Sequence, residues 1–163
     1  MTKSTELLSQ LKRGGLNFFV SVPCKYLNEL IQLLEKDTEV IYTPVTREEE
    51  GVGVVAGAYL AGKKPAIILQ NSGLGNSVNA ICSLLNYYQI PIVFVVSHRG
   101  SEGEVIAAQR PMGDATEAIL DSVGISSYVI KQEPDLNRIS SIIDAAYGKN
   151  QSVAFLFPIT FWK

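Results

Sequence analysis

Residues 44–79 read PVTREEEGVGVVAGAYLAGKKPAIILQNSGLGNSVN, and the fold follows from how this stretch divides. Three glutamates, Glu48, Glu49 and Glu50, stand at the end of an apolar strand, VIYTPV. A helix of small residues follows, from Glu50 to Gly62. A buried strand at Ala66–Leu69 and a Gly-rich turn at Asn71–Gly75 complete the unit. Polar groups therefore collect at the carboxyl ends of two strands, where ligands bind in doubly wound sheets.

The small-residue helix is unusual. Each Gly costs a helix about 1 kcal/mol relative to Ala. Close packing has to offset that, either against the sheet or against another chain beside a cofactor.

Outward from this unit the pattern repeats. Strands are expected at residues 17–22, 39–45, 66–70, 90–96, 127–130 and 153–157. Helices are expected at residues 4–13, 26–36, 47–62, 76–88, 114–123 and 134–147. In the fourth of these helices Val78, Ile81, Cys82 and Leu85 are expected to face inward. Ser97–Met112 reads as a long polar loop, with Asp114 as the N-cap of the helix after it. IPIVFVV at 90–96 is apolar on both faces, as a central parallel strand should be. The six alternations predict an α/β fold: a doubly wound, mostly parallel six-stranded sheet with helices on both faces.

A chain of 163 residues, 47% apolar and 18% charged, is expected to form one globular domain over residues 1–163. The net charge of −2, with no basic patch, argues against nucleic acid. Two cysteines, Cys24 and Cys82, offer neither a disulfide framework nor a metal spacing and suit a reducing compartment. The polar N-terminus and short apolar runs predict no secretory signal, no membrane contact and a cytoplasmic location.

The residues also narrow the chemistry. With His98 as the single histidine and no G-x-S-x-G, serine hydrolase chemistry is poorly supported. No ligand cluster for a metal is visible. The turn Ser72–Ser77 could present backbone N–H groups to an anion, yet it matches neither phosphate motif. Successive helix residues point about 100° apart, so the three glutamates cannot share one environment. Negative charge at a helix N-terminus is favourable in itself and suits Glu48 and Glu50. A glutamate facing an apolar cleft would have its pKa raised.

The string R-E-E-E, G-V-G-V-V-A-G-A-Y, K-K-P-A-I-I-L-Q-N-S-G-L-G-N resembles the pyrimidine-binding domain of thiamine-diphosphate-dependent decarboxylases. The sulfopyruvate and phosphonopyruvate decarboxylases are the nearest group. SVPCKYLNEL at 21–30, SHRGSEGE at 97–104 and QRPMG at 109–113 extend the resemblance over essentially the whole chain.

The resemblance implies a role for each position. Counting back from Tyr59 makes Glu49 the catalytic glutamate, bonded to N1′ of the aminopyrimidine ring. Pro23, Asn71, Gly73, Leu74 and His98 would border the cofactor. Lys25, His98, Arg99 and Arg110 would bind a small anionic 2-oxo acid. Leu74 stands where many members carry Pro, and His98 where they often carry Gln.

Such enzymes also need a G-D-G segment and a following Asn to hold magnesium and diphosphate. None is present; Gly113-Asp114-Ala115 lacks the second Gly. The resemblance therefore implies an alpha subunit without a metal site of its own. Thiamine diphosphate would be shared with a beta subunit carrying the diphosphate-binding domain and Mg2+. The expected reaction is 3-sulfopyruvate to sulfoacetaldehyde and CO2, a step of coenzyme M biosynthesis. Three alternatives stay open: a phosphonopyruvate decarboxylase subunit, a non-catalytic binding subunit of the same fold, and a flavodoxin-like module using Gly73–Gly75 for a phosphate.

Overall fold

The computed structural model describes residues 2–163. Six strands, β1 (Phe18–Ser21), β2 (Ile41–Pro44), β3 (Pro65–Gln70), β4 (Val93–His98), β5 (Ser126–Val129) and β6 (Val153–Pro158), form one sheet in the order β2-β1-β3-β4-β6-β5. Every pairing is parallel. The chain reverses its direction across the sheet at two places, between β1 and β3 and between β4 and β6. Both leave a crevice at the carboxyl ends.

The helices divide between the two faces. On one lie α1 (Lys3–Arg13), α2 (Asn28–Lys36) and, beyond a 3-10 segment at Glu133–Arg138, α7 (Ile139–Gly148). Leu7, Leu11, Leu30, Leu34 and Ile143 from these helices pack on Phe19, Ile68, Val95 and Phe155. On the other face lie α3 (Glu48–Leu60), α4 (Asn71–Asn76), α5 (Val78–Ala80) with its π-helical continuation Ile81–Asn86, and α6 (Arg110–Ser122). Val52, Val55, Ile81, Leu85 and Leu120 there meet Val20, Ile67, Phe94, Val96 and Leu156. Strand alternation produces this split: Val93 and Val95 face one core, Phe94 and Val96 the other. Burying each such side chain contributes roughly 1.5–3 kcal/mol.

Four expectations change. The Gly-rich turn at 71–75 is already helical and forms most of α4. Ser97 and His98 belong to β4, bonded in register to Phe157 and Pro158. The polar loop ends early because α6 begins at Arg110 with Pro111 in its first turn, so Asp114 lies inside the helix and is no cap. Cys82 is exposed, because Ile81 and Leu85 carry the inward stripe and Cys82 sits a helical step round from it.

Helix α3 uses its glycines on two faces. A Cβ at Gly51 would stand 2.8 Å from Ile67 Cδ1, so this glycine lets the helix lie close on β3. Gly53 and Gly57 have nothing within 4 Å of where a Cβ would be. With Leu60, which is 75% exposed, they make an open stripe along one side of the helix.

Candidate active site

Glu49 stands in the first turn of α3, at the carboxyl end of the sheet. Its neighbours sort the three glutamates. Glu50 turns back and accepts from the backbone N–H groups of Thr46 and Arg47, 3.0 and 3.3 Å away, which caps the helix. Glu48 lies over α4, where a Cβ on Gly73 would fall on its Cγ and Cδ. Gly73 thus makes room for Glu48. Glu49 is left pointing outward, its side chain 33% exposed.

One oxygen of Glu49 is engaged and the other is not. Oε1 accepts from Arg47 Nε at 2.6 Å. Oε2 is buried and has no hydrogen-bond partner. Its own backbone N–H at the helix terminus, and then Arg47, hold the carboxyl below the ordinary range despite some desolvation. The expectation of a raised pKa is therefore corrected for this chain by itself: the helix terminus and Arg47 outweigh burial. A carboxyl oxygen left without a partner at the open end of a sheet is free to share a proton with a ligand.

The other predicted residues fall into two groups. Pro23 and Lys25 are exposed in the segment following β1, Lys25 opening a 3-10 turn at Lys25–Leu27. Arg110 is exposed at the start of α6 and reaches Glu104 O at 3.4 Å. Asn71, Leu74 and His98 are buried. Asn71 uses all its polar atoms: Nδ2 donates to Arg99 O (2.8 Å) and Thr116 Oγ1 (2.9 Å), and Oδ1 accepts from Arg99 N (3.1 Å). His98 Nε2 donates to Gly113 O at 3.0 Å, while Nδ1 is buried without a partner. Leu74 packs in the core beside Ile81.

Arg99 is committed within the chain. Its Nε and Nη2 meet Glu104 Oε2 and Oε1 at 2.7 and 3.1 Å, and its guanidinium stacks 5.2 Å from the centre of the Tyr26 ring. That pair, with the N–H groups of Ile106 and Gly100, lowers the Glu104 pKa to about 2. The structure therefore brings Asn71, His98 and Arg99 together around the start of α6.

Arg47 and Glu104 are the residues the sequence reading passed over, and Glu48 was read only as charge at a helix terminus. Arg47 had a signal, being two residues before Glu49 and able to reach it. Glu104 had little, since an acid in a polar loop reads as solvated. Among the described residues no three His, Cys, Asp or Glu side chains gather in a way that could hold a metal ion, and no helix is long and apolar enough to cross a membrane.

A doubly wound parallel sheet with an unpaired glutamate oxygen at its carboxyl edge has the form of a ligand-binding α/β domain. Residues 1–124 match the family model described as thiamine pyrophosphate enzyme, N-terminal TPP binding domain, and the chain belongs to that family. It is 43% identical over 160 residues to the sulfopyruvate decarboxylase subunit alpha of Methanothermobacter thermautotrophicus, covering 98% of this chain and 97% of that one. The subunit alpha of Methanocaldococcus jannaschii is also 43% identical, over 164 residues, 100% of this chain and 97% of that one. The sulfopyruvate decarboxylase of Methanosarcina acetivorans is 34% identical over 154 residues, 94% of this chain but only 39% of that protein.

Proposed function

We propose that this chain is the alpha-type subunit of a thiamine-diphosphate-dependent decarboxylase acting on 3-sulfopyruvate. The observation that carries the reading is the orphaned Oε2 of Glu49 at the carboxyl end of the sheet. Near-full-length similarity to two alpha subunits supports the same conclusion.

In this reading Glu49 Oε2 holds the aminopyrimidine ring at N1′. The cofactor, when bound, supplies an electron sink for loss of CO2 from a 2-oxo acid. Glu49 has to carry a proton at Oε2, so Arg47 has to loosen its hold. Arg47 is 70% exposed, and its side chain can swing away at small cost. Pro23 borders the ring, and Gly73 does so through Glu48. Lys25 and Arg110, both exposed cations at this end, meet the carboxylate and sulfonate of the substrate. Asn71, Leu74, His98 and Arg99 support the site from behind by fixing β4 and α4 to α6 or to the core.

A beta-type subunit supplies what this chain does not carry, the grip on diphosphate and Mg2+. The bare stripe of Gly53, Gly57 and Leu60 on α3 gives it a surface on which backbones can approach closely. The test is CO2 release from 3-sulfopyruvate and, in parallel, phosphonopyruvate, with this chain, the beta-type subunit, thiamine diphosphate and Mg2+. Turnover of sulfopyruvate that requires both chains is expected. Preference for phosphonopyruvate would reassign the substrate. A complex without turnover on either would make this a binding subunit.

A further inference from the structure

The segment Arg99–Gln109 inverts the usual distribution of charge and apolar surface. Glu104, a carboxylate, has a side chain only 1% exposed. Directly after it Val105 is 87% exposed and Ile106 48%, and Ala107 and Ala108 are exposed as well. Four consecutive apolar residues facing out are unusual in a natural surface unless something binds them. Single exposed valines need no explanation; a run of four beside a buried charge does.

The segment is also built to stay as it is. The Glu104 carboxylate accepts four hydrogen bonds, from Arg99 Nε and Nη2, from Gly100 N at 3.1 Å and from Ile106 N at 2.9 Å. Its backbone N–H donates to Ser101 O at 3.1 Å, and Ser101 Oγ donates to His98 O at 2.5 Å. Gly100 and Gly103 take left-handed conformations, φ 79° and 84°, that close this turn. A Cβ at Gly100 would collide with the Gln109 carbonyl, so the returning strand of the segment lies directly on the outgoing one. Val105 is thus held outward between two anchors, Glu104 on one side and the Ile106 N–H on the other. A lid that opens and closes would have to break a buried, four-donor carboxylate each time.

We infer that Val105 and Ile106 form a preset apolar knob that docks into the beta-type subunit. The inference rests on the two-chain reading above, and three observations choose this occupant. The relatives that this chain matches over 97% of their own length are named as alpha subunits, which implies a second chain. The knob springs from β4, at the same end of the sheet as Glu49. The orphaned Glu49 oxygen marks that end as the one the second chain has to cover. Fixing the knob beforehand removes the ordering cost that a floppy loop would carry into the complex.

The test co-expresses this chain with the beta-type subunit, purifies the complex and measures its dissociation constant by dilution in the analytical ultracentrifuge. The variants are Val105→Asp with Ile106→Asp, and the milder Val105→Ser with Ile106→Ser. Each knob residue that is fully buried on docking contributes about tenfold or more to affinity. The double aspartate variant is therefore expected to lose about a hundredfold, the double serine variant less, with the Tm of the isolated chain unchanged in both. Unchanged affinity with a raised KM would overturn the proposal and make the tip part of substrate closure. Unchanged affinity and unchanged KM would overturn it outright, while wild-type assembly and turnover would leave the two-chain reading standing. Failure of the wild-type chains to assemble would remove both.

Discussion

The first turn of α3 and the end of β4 lie at the same edge of the sheet and use polar residues in opposite ways. At β4, Asn71, Arg99 and Glu104 spend their hydrogen-bonding capacity on one another and on neighbouring backbone. Even the atoms there without partners, His98 Nδ1 and Ser97 Oγ, are sealed inside residues 6% and 1% exposed. At α3, Glu49 keeps an unpaired oxygen on a side chain that is one-third exposed. Polar residues grouped by sequence into one site thus separate into a hydrogen-bonded cluster and a glutamate with a spare oxygen. What tells them apart is the whole side chain, since all three unpaired atoms are covered but only Glu49 is partly exposed.

The largest effect expected from this contrast is on Glu49. Glu49→Gln should lower kcat of the two-chain complex by about 10²–10⁴-fold, the range for a positioned proton-transfer group, without changing assembly. Near-normal activity would dissolve the distinction between the two regions. Arg99→Ala should act on stability first, because it strands the buried Glu104 carboxylate. A fall of several degrees in Tm with KM little changed is expected; the reverse pattern would move Arg99 into the substrate site. The same pair sets a pH dependence. The Glu104 pKa falls from its ordinary 4.5 to about 2 on folding, so its stabilisation is complete above 4.5 and is lost as pH drops from there toward 2. Thermal melts of wild type and Arg99→Ala across that window should converge at the acid end. Gly73→Ala is expected to push Glu48 aside and lower kcat severalfold, since the added Cβ falls on carbons in the middle of that side chain. The smallest effect should come from Arg47→Ala. Loss of the cation raises the Glu49 pKa, so the alkaline limb of the kcat/KM profile should move up by a fraction of a pH unit, as suits an exposed pair.

Periodicity carried most of the architecture. Six apolar runs alternating with helical stretches predict the strands, and their burial on both faces follows from Val93 to Val96 alone. Glu49 was singled out by its distance from Tyr59 and the family pattern, and it lies in the first turn of α3 with one oxygen unpaired. The start of α6 was missed although Pro111 signals a helix's first turn. The polar letters S-E-G-E suggested a solvated loop instead. Glu104 could not be read, because its burial depends on Arg99 folding back five residues and on two left-handed glycines. Nor could the pKa direction of Glu49. That depends on which way Arg47 turns, a choice made by side-chain geometry and not by spacing.

The strand order has a consequence for the making of the chain. No two neighbouring strands are joined by a hairpin, and β1, the first to leave the ribosome, is an interior strand with partners on both sides. It has to wait for β3 before its second edge is covered, and β4 waits for β6. Local contacts cannot nucleate such a sheet, so folding is slow relative to a helical bundle of equal size. The nascent chain therefore exposes parallel strand edges until β6 has been made.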